Sequence, residues 1–195
     1  MSENILVIST SPRRGGNSET LADAFIRGAK EAGHQTEKIC LYDKTIGFCK
    51  GCLACLQSHC CVIHDDADVI AQKMRKADVL VFATPIYYYE MCGQMKTMLD
   101  RANPLYDSDY QFRDIYLLAS AAETEESAMD GAIKGISGWI DCFPNSRLSG
   151  TVLAGVQKPL AQYREIRHYK RLMKWGKQFK GGICRSVDSS PYFFY

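Results

Sequence analysis

The chain has 195 residues and 46% hydrophobic composition, enough to fill one α/β core. Twenty-four Lys and Arg stand against 22 Asp and Glu, a formal net charge of +2, and this balance gives no field that would call for nucleic acid as partner. No apolar stretch reaches the ~18 residues that cross a bilayer, and Met1-Ser2-Glu3-Asn4 leads into a short strand-like run. The expectation is a cytoplasmic protein with neither export leader nor membrane partner.

Five apolar runs rich in β-branched residues lie along the chain: Ile5 to Thr10, Thr36 to Leu41, Val79 to Pro85, Ile115 to Ser120 and Thr151 to Val156. Alternating with amphipathic stretches, they predict an α/β fold, a doubly wound five-stranded parallel sheet with helices on both faces, in one domain over 1–195. Directly after the first run comes Ser9-Thr10-Ser11-Pro12-Arg13-Arg14-Gly15-Gly16-Asn17-Ser18-Glu19-Thr20, then a helix whose Leu21, Ala24, Phe25, Gly28 and Ala32 share one stripe. At such a helix start, free backbone N–H groups and the positive end of the dipole meet an anion. The Ser11 and Ser18 hydroxyls and the Asn17 amide add donors, two glycines admit close backbone approach, and Arg13 adds charge. The segment holds no G-x-x-x-x-G-K-[ST] and no G-x-G-x-x-G, and no Cys precedes Cys40 to act as a phosphatase nucleophile. The predicted ligand is therefore a phosphate that is bound and not cleaved. The loop resembles that of the NAD(P)H-dependent FMN reductases and multimeric flavodoxin-like proteins, which reads G-S-P-R-x-x-G-N-[ST]. Ser11-Pro12-Arg13, Asn17 and Ser18 match it, while Thr10 stands where Gly is usual and Gly15-Gly16 takes up one extra residue. The resemblance implies a flavodoxin-like sheet of order 2-1-3-4-5 and an FMN phosphate held by Ser11, Arg13, Asn17 and Ser18.

Of nine cysteines, Cys49, Cys52, Cys55, Cys60 and Cys61 fall within Phe48 to Asp66. In a chain of this length read as intracellular, metal or redox chemistry explains that cluster better than a disulfide framework. The spacing Cys49-x2-Cys52-x2-Cys55-x5-Cys61, with Cys60 as the adjacent alternative, turns three thiolates toward one centre and supplies a fourth, as a four-iron four-sulfur cluster requires. Structural zinc usually splits its ligands into two distant pairs. Metal-free thiols near a flavin, and zinc or a reversible disulfide, stand as alternative readings. The run and the following Asp65-Asp66 resemble the cysteine loop of the iron-sulfur flavoproteins, and that match favours Cys61 over Cys60. His59 and His64 are read as surface residues.

After the third run, Ala83-Thr84-Pro85-Ile86-Tyr87-Tyr88-Tyr89-Glu90-Met91 precedes a helix with Met95, Met98, Leu99 and Ala102 on one face. Pro85 fixes a turn, and Ile86 with Tyr87 or Tyr88 offers a planar ring an apolar and aromatic wall. The segment resembles the T-P-I-Y-[YF] loop and K-x-x-x-D-R helix of the same family, here ending Lys96 to Arg101, which implies that Pro85, Ile86, Tyr87 and Tyr88 border the flavin. In the order given above, this loop lies beside the phosphate strand at the carboxyl edge, where open α/β sheets bind ligands. Ala119 to Thr124 is expected to complete the pocket. Further on, Met129, Ala132, Ile133, Ile136, Trp139, Ile140 and Phe143 give another helix one buried stripe. A last helix is expected over about 160–179 with a basic, solvated outer face, and the aromatic tail over 189–195 is expected to pack, for instance on another subunit.

The functional expectation is an FMN-dependent oxidoreductase that passes reducing equivalents through FMN to a small acceptor or an electron-transfer partner. NAD(P)H or ferredoxin is the candidate donor, a four-iron four-sulfur cluster the second candidate cofactor, and a homo-oligomer the implied assembly. No general acid or base is assigned, because the flavin carries the chemistry. A non-enzymatic flavodoxin-type carrier or a thiol or metal redox sensor is the rival class. Near-neutral charge and the cysteine loop weigh against the carrier.

Overall fold

The computed structural model describes residues 2–155. In chain order its elements are β1 (Asn4–Ser9), α1 (Asn17–Glu31), β2 (Gln35–Cys40), α2 (Cys55–Ser58), α3 (Asp66–Lys76), β3 (Val79–Tyr87), β4 (Glu90–Met91), α4 (Gly93–Arg101), β5 (Asp114–Ala121), α5 (Asp130–Ile140) and β6 (Arg147–Gly155). Five strands pair in parallel in the order β2-β1-β3-β5-β6, which is the expected 2-1-3-4-5 arrangement. A sixth, two-residue strand, β4, folds back antiparallel on the end of β3 and is too short for alternation to announce it.

Successive strand residues point to opposite faces, and the apolar runs divide accordingly. Ile5, Val7, Val79, Val81 and Leu118 pack with Leu21, Ala24 and Phe25 of α1, while Leu6, Ile8, Leu80, Phe82 and Leu117 pack with Ile70, Met95, Met98 and Ile136 of α3, α4 and α5. The sequence reading placed no helix after the cysteine loop, yet α3 forms there for legible reasons. Asp65 caps it, its side chain accepting the Ala67 N–H at 3.0 Å, and buried Ala67, Ile70, Ala71 and Met74 recur at helical spacing. Lys73, Arg75 and Lys76 complement the dipole in its last turn. No helix among the described residues is long and apolar enough to cross a membrane. The expected helix over 160–179 and tail over 189–195 lie outside the described residues.

Candidate functional site

The phosphate-loop candidates sit where β1 gives way to α1. Thr10 is turned inward: its N–H and hydroxyl both donate to the Ala83 carbonyl, at 2.8 and 3.1 Å, and its Oγ1 lies 3.3 Å from buried Cys92 Sγ. Ser11, also buried, closes the next turn on Arg13, its Oγ accepting the Arg13 N–H at 3.2 Å and lying 3.1 Å from the Arg13 carbonyl oxygen. Gly15 takes φ +62, a left-handed turn that favours glycine, and a Cβ on Gly16 would stand 3.2 Å from Ser11 Oγ. Arg13 is exposed and Asn17 half-buried, whereas Ser18 is buried with its Oγ 2.8 Å from Ser120 Oγ on β5. The Gly16 carbonyl accepts the Thr20 N–H at 3.0 Å; the N–H groups of Asn17, Ser18 and Glu19 precede it, unsatisfied by helix geometry. Ser9 Oγ, at the base of the loop, is buried without a partner among the described residues. Such donors, gathered at the start of α1, fit a phosphate. The loop's one acid, Glu19, accepts the Gly15 N–H at 2.7 Å and pairs with Lys38 at 3.0 Å. Burial alone would raise the Glu19 carboxyl, but these donors outweigh it and hold it below its ordinary range.

The aromatic loop after β3 is a tight hairpin. Tyr87 pairs with Glu90, and the two residues between them, Tyr88 and Tyr89, have φ of 50 and 64, the positive values that a primed two-residue turn demands. Glycine or asparagine usually fills such positions, and a tyrosine there is strained by about 1 to 3 kcal/mol. The strain is held by α5: a Cβ on Gly131 would fall 2.4 Å from the Tyr89 carbonyl oxygen, and one on Gly135 would fall 2.9 Å from Met91 Cε. Of the ring-contact candidates, Pro85 is buried and shapes the loop from beneath, Ile86 is half-buried, Tyr87 is exposed and Tyr88 is 100% exposed. Pro85 pairs with Ser120 in the sheet, so the phosphate loop, the tyrosine hairpin and the end of β5 meet at one carboxyl edge. Beyond β5, Glu123 and Thr124 lie so close to Gly155 that a Cβ there would stand 2.4 Å from the Glu123 carbonyl oxygen.

Four of the loop cysteines face a single space. Cys49, Cys52, Cys55 and Cys61 line a cavity of about 380 Å³, walled further by Leu99, Trp139 and Phe143. Cys60 is not in its lining; its backbone is tied to Ser58 Oγ, which accepts the Cys60 N–H at 3.3 Å and donates to the Cys60 carbonyl at 2.9 Å. Donors aim at three of the four sulfurs: the Gly51 N–H at Cys49 Sγ (3.4 Å), the Ile63 N–H at Cys61 Sγ (3.5 Å) and Asn103 Nδ2 at Cys55 Sγ (2.9 Å). A soft four-sulfur set with N–H donors fits an iron-sulfur cluster. No group of three His, Cys, Asp or Glu side chains among the described residues is drawn together closely enough to hold a single metal ion as it stands. All cysteines among the described residues are free thiols, and His59 and His64 are exposed and outside the cavity. Sequence reasoning passed over Asn103 and Cys142, both in the lining; they come from other segments, and no local spacing connects them to the loop.

The sequence signature of the NADPH-dependent FMN reductase family matches residues 4–133. An iron-sulfur flavoprotein of Methanosarcina thermophila is 32% identical over 134 residues, 68% of this chain and 70% of that protein. An iron-sulfur flavoprotein of Methanocaldococcus jannaschii is 38% identical over 101 residues, and there the chain spans only 52% of the relative's length and 52% of its own. In three dimensions the chain is similar to an NAD(P)H:quinone oxidoreductase from Methanothermobacter marburgensis, with a TM-score of 0.72 at 20% identity over 94% of this chain and 98% of that one. Signature, relatives and fold agree, and the chain belongs to the NADPH-dependent FMN reductase family of FMN-dependent oxidoreductases.

Proposed function

We propose that the chain binds one FMN, its phosphate in the loop Ser11 to Ser18 and its ring against Ile86, Tyr87 and Tyr88 above Pro85, and passes electrons between a reduced donor and a small acceptor or partner protein. The observation that carries this reading is the convergence of three segments at one sheet edge, fixed by the Thr10 bonds to Ala83 and the Ser18 contact with Ser120. Arg13 and Asn17, with the first N–H groups of α1, hold the phosphate; Ser18, accepting from Ser120, keeps its own proton for it, and Ser11 shapes the loop through its bonds to Arg13 and can turn its hydroxyl to the anion by giving up the Arg13 carbonyl. The flavin, once bound, supplies hydride and electron transfer at its ring. The chain orients that ring by the hairpin and leaves one side open for the donor, NAD(P)H or ferredoxin.

The second part of the proposal is a four-iron four-sulfur cluster on Cys49, Cys52, Cys55 and Cys61, supported by their shared cavity and by the name that the Methanosarcina relative carries. The exposed tyrosines favour a homo-oligomer in which a second copy walls the site, and so many free thiols suit the cytoplasm. The test is direct. Anaerobically purified protein should be yellow, bind FMN in a fluorescence titration, and oxidise NADH, NADPH or reduced ferredoxin with a quinone or flavin acceptor. Protein that neither carries nor binds FMN would end the proposal.

A further inference from the structure

We propose that Arg101 is the positioning residue of the cysteine loop, a clamp that joins the loop's two stems and thereby turns its four thiols into one cavity. Residues 47–65 contain only one short helix, α2, and carry positive φ at Leu53 and His59, so little regular structure holds them. Arg101 is the largest fully buried side chain among the described residues; a buried guanidinium is costly unless its donors are satisfied, and while its Nε finds no partner among those residues, both of its terminal nitrogens do. Its Nη1 donates to the Gly47 carbonyl at 2.9 Å and to Asp65 Oδ2 at 2.7 Å, and its Nη2 donates to the Ile63 carbonyl at 2.8 Å. Asp65 closes the ring by accepting the Gly47 N–H at 2.8 Å.

Gly47 lies two residues before Cys49, and Ile63 two residues after Cys61. The clamp therefore grips the chain just outside the first and the last thiol of the proposed cluster set. A planar guanidinium fixes several acceptors at set angles, which a lysine ammonium does not, so the choice of arginine at the end of α4 fits a geometric duty. Two residues on, in the turn that follows α4, Asn103 reaches Cys55 Sγ, so α4 and that turn together meet the loop at its neck and in its middle.

The clamp itself is independent of the cluster; its effect on iron rests on the proposed function. The test compares wild type with R101K, R101Q and D65N, all iron-free, by hydrogen exchange, followed by anaerobic reconstitution with iron and sulfide. Amides between Gly47 and Ile63 should exchange at least about tenfold faster in each variant while those of β1 and β3 keep their wild-type protection, because the charged hydrogen bonds affected lie at the neck and, in D65N, at the adjoining cap of α3. Iron uptake should fall several-fold, and R101K should recover part of it by re-forming one bond to Asp65. Where clusters form, R101Q should have a lower midpoint potential than R101K, since the lost positive charge no longer stabilises the reduced cluster. Wild-type exchange rates and uptake in R101Q would overturn the clamp, and D65N decides the matter should R101Q not fold. Wild-type protein that takes up no iron would overturn the cluster, while the exchange comparison, made without iron, still decides the role of Arg101.

Discussion

A hydroxyl donates once and accepts twice, so with Ser120 donating to Ser18 the Ser18 proton is free to meet an anion. Arg13 has no such second duty. It is exposed, stands at the loop's tip, and its side chain makes no ion pair among the described residues. Arg13→Ala is therefore expected to weaken FMN binding by roughly 10- to 100-fold, the worth of about 1.5 to 3 kcal/mol for a charged hydrogen bond, in a fluorescence titration. Ser18→Ala should cost less affinity, yet lower unfolding stability by about 1 kcal/mol because Ser120 is left unpaired in a buried place. Glu19 sets a pH dependence. Its carboxyl is held below its ordinary range in the folded chain, so the latch on Gly15 and Lys38 is fully present above that range and is lost as pH falls through the depressed value. FMN affinity of the wild type should drop on acidification there, and Glu19→Gln should show the weaker affinity already at neutral pH and a flatter profile. An identical acid limb in both proteins would rule the latch out.

The hairpin of β3 and β4 shows an element held in a conformation its own residues disfavour. Tyr88 and Tyr89 would not choose positive φ, and Gly131 and Gly135 on α5 supply the close surface that keeps them there. The glycines of α5 form a graded test. Gly131→Ala sets a methyl against the Tyr89 carbonyl and should destabilise the fold by a few kcal/mol and loosen FMN binding. Gly135→Ala meets only the movable end of Met91 and should cost less. Gly138→Ala meets nothing within 4 Å and should stabilise the helix by about 0.5 to 1 kcal/mol. Thermal unfolding with a parallel FMN titration ranks the three, and equal effects would mean that α5 does not brace the hairpin. The converse change, Tyr89→Gly, should raise the unfolding temperature while altering flavin affinity, since it relieves the turn and frees the platform. None of this was legible in sequence: the tyrosines read as a ring wall by their place after β3, but a strained turn depends on a helix some forty residues away.

Across the whole molecule, the parallel sheet was legible because the runs of β1, β3 and β5 are apolar on both faces, its order through the family resemblance, and α1, α4 and α5 because their stripes recur at helical spacing, whereas β2 is largely exposed. The cysteine cavity was legible in its ligands and not in its walls, for Trp139, Phe143 and Asn103 reach it through the fold. The two candidate sites are tied by α4. Cys92, the residue that precedes it, donates its Sγ–H to the Thr10 carbonyl beneath the phosphate loop, and the helix ends at Arg101 on the neck of the cysteine loop, about 13 Å further along. They are built from separate segments and should fail separately. Cys61→Ser should abolish the four irons per chain and the broad absorption near the flavin bands that an anaerobically prepared cubane cluster gives, while FMN stays bound. Cys60→Ser should change little, because Cys60 stands outside the cavity with its backbone tied to Ser58. Arg13→Ala should do the reverse, losing flavin while keeping iron. Iron that survives Cys61→Ser and disappears with Cys60→Ser would move the fourth ligand by one residue, and iron lost together with flavin in every variant would mean that one site, not two, had been read.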